Sequence, residues 1–247
     1  GNGKGSGDLM VANDDGSNQK VVLAAGRGIA FSRPSWSPDG TMLAFGSTVQ
    51  GPGIYTVHID GTNLTKIATV NWNPASSAPD WSPVPAADGE HKIAFSDQPL
   101  NGDGSLGPNA DIFLVNPDGT GFQNLTNTPD AYEASPAWSR TATRLALWDI
   151  GDENTIHDDI LVLDVGLGTD GLEVTAEMNL TSEADVPGAP LNDVGVRNPS
   201  CAREEDKIVV NVRSSDPDVG GDLWIIDLAD PANPTNLTGT RELAETH

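Results

Sequence analysis

The sequence predicts an all-β chain, a β-propeller of four-stranded antiparallel blades. Two observations carry that prediction: one unit recurs along the 247 residues, and each unit holds four short apolar runs bounded by turn residues. The first copy reads Pro34-Ser35-Trp36-Ser37-Pro38-Asp39-Gly40, then Leu43-Ala44-Phe45, Ile54-Tyr55 and Asp60-Gly61-Thr62. The second reads Pro79-Asp80-Trp81-Ser82-Pro83, Ile93-Ala94-Phe95, Asp111-Ile112-Phe113, Asp118-Gly119-Thr120 and Asn124-Leu125-Thr126. A looser third runs Pro136-Ala137-Trp138-Ser139, Leu145-Ala146-Leu147, Asp159-Ile160-Leu161 and Asn179-Leu180-Thr181. The fourth keeps Pro199, puts Cys201 where the tryptophan stood, and continues Ile208-Val209-Val210, Asp222-Leu223-Trp224 and Asn236-Leu237-Thr238.

The runs are too short for helices and rich in residues that suit a pleated surface, which gives four strands per unit. Ser-Pro-Asp-Gly between the first and second runs is a tight turn: proline presets φ, aspartate bonds its own backbone, and glycine accepts positive φ. Asp-Gly-Thr or Asp-Gly-Ser at Asp15, Asp60 and Asp118 closes the third and fourth runs in the same way. Leu43-Ala44-Phe45 and Ile208-Val209-Val210 do not alternate with polar residues, as expected of sheets covered on both faces. Radial stacking of such sheets at a period of roughly forty to fifty residues is a propeller.

These boundaries define a single domain over 1–247, with a half blade at 7–24 and blades at 34–68, 79–126, 136–181 and 199–238. About 4.5 blades are covered, and the expected ring has six. Two arrangements would complete it: the chain is a portion of a longer propeller, or another protomer supplies strands in a head-to-tail fibre.

Pro-x-Trp-Ser-Pro-Asp-Gly, an Ile/Leu-Ala-Phe strand, Ile-Tyr, Asp-Gly-Thr and Leu-Thr resemble the TolB-type propeller repeat over almost the whole chain, without making the chain TolB itself. The departures are Arg140-Thr141-Ala142 in place of Pro-Asp-Gly, and Cys201-Ala202-Arg203 in place of Trp-Ser-Pro. The resemblance implies a propeller of about six blades, a binding role and an extracytoplasmic location, periplasmic or secreted.

Thirteen lysines and arginines against 36 acids give a net charge of −23, which argues against nucleic acid because phosphates would be repelled. Acidity of this degree keeps a protein solvated and favours cationic partners. One cysteine rules out an internal disulfide framework, and no apolar stretch is long enough to span a bilayer.

Antiparallel order puts the two tight turns of each unit on one face and the longer connections on the other. Gln98 to Ala110, Asp149 to Asp158 and Arg213 to Gly221 join second and third strands there, while Val70 to Ala78, Asn127 to Ser135 and Ser182 to Asn198 join blades. The stretch Gly166 to Glu177 falls on the opposite face. Binding residues concentrate on such loops. Trp72, Tyr132, Trp148 and His157 are the candidate contacts, and their alternative role is to cover the blade tops. Calcium is the one possible cofactor, with oxygen ligands from Asp103 and from Asp216, Asp218 and Asp222, although ordinary Asp-Gly turn chemistry explains the same residues. The Asn-Leu-Thr triplets at Asn63, Asn124, Asn179 and Asn236 read as glycosylation acceptors, three of them at one repeated fourth-strand position.

No Gly-x-Ser-x-Gly elbow is present, and the four histidines form no cluster in sequence. The expectation is a non-catalytic binding or assembly module whose partner is a protein or another copy. An accessory or gating propeller of a peptidase or polysaccharide-degrading enzyme is the alternative.

Overall fold

The computed structural model describes residues 7–26, 31–71, 73–152, 155–182, 195–202, 207–212 and 221–238. Strands β1 (Leu9–Val11) and β2 (Lys20–Leu23) form a two-stranded sheet. Four antiparallel sheets follow, each in chain order from an inner to an outer strand. Blade 1 is β3 (Ser35–Trp36), β4 (Met42–Ser47), β5 (Gly53–His58) and β6 (Thr65–Thr69). Blade 2 is β7 (Asp80–Trp81), β8 (Ile93–Asp97), β9 (Asp111–Val115) and β10 (Gln123–Asn124). Blade 3 is β11 (Glu133–Trp138), β12 (Arg144–Asp152), β13 (Thr155–Leu167) and β14 (Leu172–Asn179). Blade 4 is β15 (Val196–Cys201), β16 (Lys207–Val212), β17 (Asp222–Asp227) and β18 (Asp230–Asn236). Among the described residues the only helix is one 3-10 turn at Pro74–Ser76.

The hydrophobic cores lie between consecutive sheets, and the Leu-Ala-Phe pattern explains how. In β4 the large Leu43 and Phe45 face β1 and β2, while Ala44 faces blade 2. In β8, Ile93 and Phe95 face blade 1 and Ala94 faces blade 3. In β12, Leu145 and Leu147 face blade 2 and Ala146 faces blade 4. Alternation puts neighbouring side chains on opposite faces, so each alanine leaves a shallow surface on which the next sheet seats its bulky residues. The inner-strand tryptophans Trp81 and Trp138 join the same cores against the preceding blade. Trp36 is 49% exposed, since among the described residues no inner strand precedes it.

Three expectations need correction. Asp149 to Asp158 and Gly166 to Glu177 are mostly strand rather than loop, because β12 and β13 pair as far as Asp152 and Thr155, and β13 and β14 pair as far as Leu167 and Leu172. Backbone pairing there continues past the apolar core, where polar side chains carry no penalty. In β16, Ile208 and Val210 are buried but Val209 is not, since among the described residues no sheet covers its face.

The repeated serine after each tryptophan position fixes the first turn. Ser37, Ser82 and Ser139 each accept, through Oγ, the backbone N–H of Met42, Lys92 and Arg144 at 2.9, 2.9 and 3.0 Å. Where Gly40 takes φ 70°, the third copy places Ala142 at φ 54°, so the departure in sequence keeps the turn.

Candidate functional site

The first strands of the blades line up, β3 against β7, β7 against β11 and β11 against β15. They enclose two adjoining cavities. One, of about 460 Å³, runs along the Pro-x-Trp segments and includes Arg33, Asp80, Arg140 and Cys201. The other, of about 580 Å³, opens where the inner strands begin, on the side of the longer connections, and includes Arg33, Tyr132, Trp148 and Asn198.

Tyr132 and Trp148, distant in the sequence pattern, thus meet at one opening. Tyr132 immediately precedes β11 and is held by its carbonyl, which accepts from the Ile150 N–H at 2.9 Å. Burial pushes its phenol up to about 12. Trp148 is clamped from two sides: its Nε1 donates to Asp158 Oδ1 at 3.1 Å, and the Arg197 guanidinium sits 4.6 Å from the ring centroid. Arg197 Nη2 in turn contacts Asp158 Oδ2 at 2.9 Å. A stacked cation with its own carboxylate partner holds the indole in one rotamer.

The wall of this opening is backbone-strained. Ala78, Ser135 and Asn198, each directly before the repeated proline, adopt φ of 40°, 52° and 51°. Strand register slips between Ala134 and Ala137 and between Arg197 and Ser200, so the inner strands of blades 3 and 4 are bulged there. Non-glycine residues in this region cost about 1–3 kcal/mol each.

In the cavity along the Pro-x-Trp segments the Asp80 carboxylate accepts the Trp138 N–H at 2.7 Å. Burial raises its pKa to about 6, against the opposing effects of that hydrogen bond and of Arg33. Cys201 Sγ donates to the Ala137 carbonyl at 3.4 Å, and burial followed by the Asp80 charge pushes the thiol up to about 12. The thiol is therefore inert at neutral pH.

Trp72, Asp216 and Asp218, and the side chain of His157, lie outside the described residues. Asp103 is engaged as a turn: its Oδ1 accepts from Ser105 N and Oγ at 2.9 and 2.6 Å with Gly104 at φ 81°, the geometry of the Asp60 and Asp118 turns. Asp222 accepts from Asn236 Nδ2 at 3.0 Å and from Thr238 Oγ1 at 2.8 Å. Blade 3 repeats this clasp, Asp159 accepting from Asn179 Nδ2 at 2.9 Å and Thr181 Oγ1 at 2.6 Å. In blade 2, Asn124 Nδ2 donates to Asp111 Oδ2 at 2.5 Å, while Thr126 Oγ1 donates to Glu133 Oε2. In blades 3 and 4 the Asn-Leu-Thr triplets are thus clasps onto one aspartate of the third strand, in blade 2 the clasp is divided between Asp111 and Glu133, and Thr65 Oγ1 instead donates to the Asn63 carbonyl. Among the described residues no group of three or more His, Cys, Asp and Glu side chains is arranged to hold a metal ion.

Fold and channel together define the class, a β-propeller on a TolB-like repeat. No family model matches the chain. A stretch of 85 residues, 34% of the chain, is 36% identical to the Tol-Pal system protein TolB of Alcanivorax borkumensis, covering 18% of that protein. Among solved structures, TolB from Acinetobacter baumannii matches with a TM-score of 0.64 at 19% identity over 93% of this chain and 48% of that one. A nidogen/laminin complex gives 0.61 at 14% over 95% and 76%, and oligogalacturonate lyase from Vibrio parahaemolyticus 0.53 at 13% over 93% and 59%. The chain spans less than half the length of the TolB proteins it matches. It resembles TolB in fold and repeat and is not TolB itself.

Proposed function

We propose that this chain is a non-catalytic, extracytoplasmic protein-binding module that engages its partner through the opening lined by Tyr132 and Trp148. One observation supports the reading most: an indole fixed by Arg197 and Asp158, beside a half-buried tyrosine, at the rim of a cavity of about 580 Å³. Tyr, Trp and Arg are the residue types on which binding energy concentrates at protein interfaces, and a pre-fixed side chain loses little entropy on binding. The TolB-like repeat supports the binding role and the location. Among the described residues no helix is long and apolar enough to cross a membrane.

The test is affinity capture with the wild-type chain and with the double variant Tyr132→Ala, Trp148→Ala, followed by a direct titration with the recovered protein. A partner held by the wild type and lost by the variant supports the reading. One that binds both equally, or only through the short-turn face, overturns it. The alternative, an accessory propeller of a larger enzyme, takes support from the likeness to oligogalacturonate lyase, and its test is turnover of peptide and oligouronate substrates. Self-assembly by strand exchange would appear as a concentration-dependent mass in solution.

A further inference from the structure

The distribution of positive charge singles out the cavity along the Pro-x-Trp segments. The chain carries 36 acidic side chains against 13 basic ones, so a guanidinium has carboxylates available almost anywhere on the surface. Two arginines, both of them exposed, instead line the mouths of this cavity. Arg33 stands just before β3 and Arg140 just after β11. In repeat register they are five positions apart, roughly 16 Å along extended strands at about 3.3 Å per residue. Neither makes an ion pair within 4 Å with a described carboxylate, whereas Arg144 and Arg197 are bound to Asp164 and Asp158. Among the described residues lining the cavity the one acid is Asp80, and one of its oxygens is taken by the Trp138 N–H. A volume of about 460 Å³ falls in the roughly 300–1,000 Å³ range of small-molecule sites.

We propose that this cavity binds a small organic anion bearing two or more carboxylates, one held by Arg33 at the long-loop end and another by Arg140 at the short-turn end. Guanidinium groups suit carboxylates because their planar donors match both oxygens. The repeated prolines between them supply the apolar wall along which the ligand's carbon chain lies. Asp80 adds a pH dependence. It faces Arg33 from the segment before β3, the Trp138 N–H from blade 3 and the neutral Cys201 thiol from β15, and Arg140 lines the same cavity. With its pKa raised to about 6, Asp80 loses its charge on mild acidification, and a bound carboxylate then meets Arg33 and Arg140 without the opposing charge of Asp80.

The experiment is calorimetric titration of the full chain with citrate, succinate and acetate at fixed ionic strength, with sulfate as control, at pH 5.5 and 7.5. Citrate or succinate is expected to bind saturably at one site, more tightly at pH 5.5 when affinity is expressed for the fully ionised ligand, and about tenfold or more weakly in Arg33→Gln and in Arg140→Gln, a loss of roughly 1.4 kcal/mol. Asp80→Asn, which keeps the acceptor for Trp138, leaves only the pH dependence that comes from the ligand's own carboxyl titration. No saturable binding, binding untouched by both arginine variants, equal binding of sulfate, or displacement of citrate by an acidic peptide overturns the proposal. Trp148→Ala separates the two readings, since it weakens partner capture and leaves citrate binding unchanged.

Discussion

The backbone N–H of Trp138 donates to the Asp80 carboxylate at 2.7 Å, so a side chain of one inner strand caps the main chain of the next. Asp80→Ala leaves that N–H without its acceptor and is expected to lower stability by about 1–3 kcal/mol. Asp80→Asn restores most of the loss. Equal midpoints for both variants in urea titrations would show the contact to be dispensable.

The alanines between large residues are equally specific. Ala94 and Ala146 are fully buried and face the next sheet, so Ala94→Leu must push β8 away from blade 3. The expected cost is about 1–3 kcal/mol. Val209→Leu, on the uncovered face of β16, should move the melting temperature little.

Stability should fall as pH rises from mildly acidic to neutral. Burial pushes Glu133, 1% exposed, up to about 7 from an ordinary 4.5, and Asp111 and Asp149 push in the same direction. The folded chain therefore keeps a proton that the unfolded chain releases. That contribution is complete below about pH 4.5 and is lost as pH passes about 7. Glu133→Gln should flatten the slope of melting temperature over this window. Asp39 acts in reverse: its hydrogen bonds from Ser37 and Thr41 hold it down at about 2, so its contribution is present above about 3.8 and disappears toward pH 2.

Chelation tests calcium. Both oxygens of Asp222 are occupied by Asn236 and Thr238, and Asp103 is closed into a turn with Ser105. The melting temperature is therefore expected to be the same in calcium and in EDTA. A chelator-dependent drop would return Asp216, Asp218 and Asp222 to a metal site.

Thr181→Val should loosen the blade 3 clasp by about 1 kcal/mol, because Asp159 loses the shorter of its two partners. The clasps also bear on glycosylation. Asn124, Asn179 and Asn236 already donate their amides to aspartates, whereas Asn63 is exposed at φ 54°. Expression in a glycosylating host should modify Asn63 before the others, which mass spectrometry of the tryptic peptides reads directly.

The blades were legible because their signals are local. Trp-Ser with its turn, the large-Ala-large strand and Asp-Gly-Thr each specify geometry within a few residues. Blade 3 was less legible: Asp149, Asp152, Asp158 and Asp159 interrupt the apolar pattern, so hydrogen-bonded extensions of β12 and β13 look like loop in sequence. Trp148 stood out as an aromatic, but its clamp did not, since Arg197 lies a blade away. Arg33, Asp80 and Arg140 were invisible as a group. They occupy unremarkable positions beside the repeat motif and converge only when the inner strands are arranged about an axis.

Each sheet contributes one face to the core behind it and the other to the core ahead. The gene's unit of repetition is therefore not the protein's unit of cohesion. Excising one whole repeat would bring together two half-interfaces that do not pack against each other in this chain. Duplicating one would likewise create a single new seam, the leading face of that sheet against its own trailing face, so gain and loss of a blade both require one interface to be matched afresh.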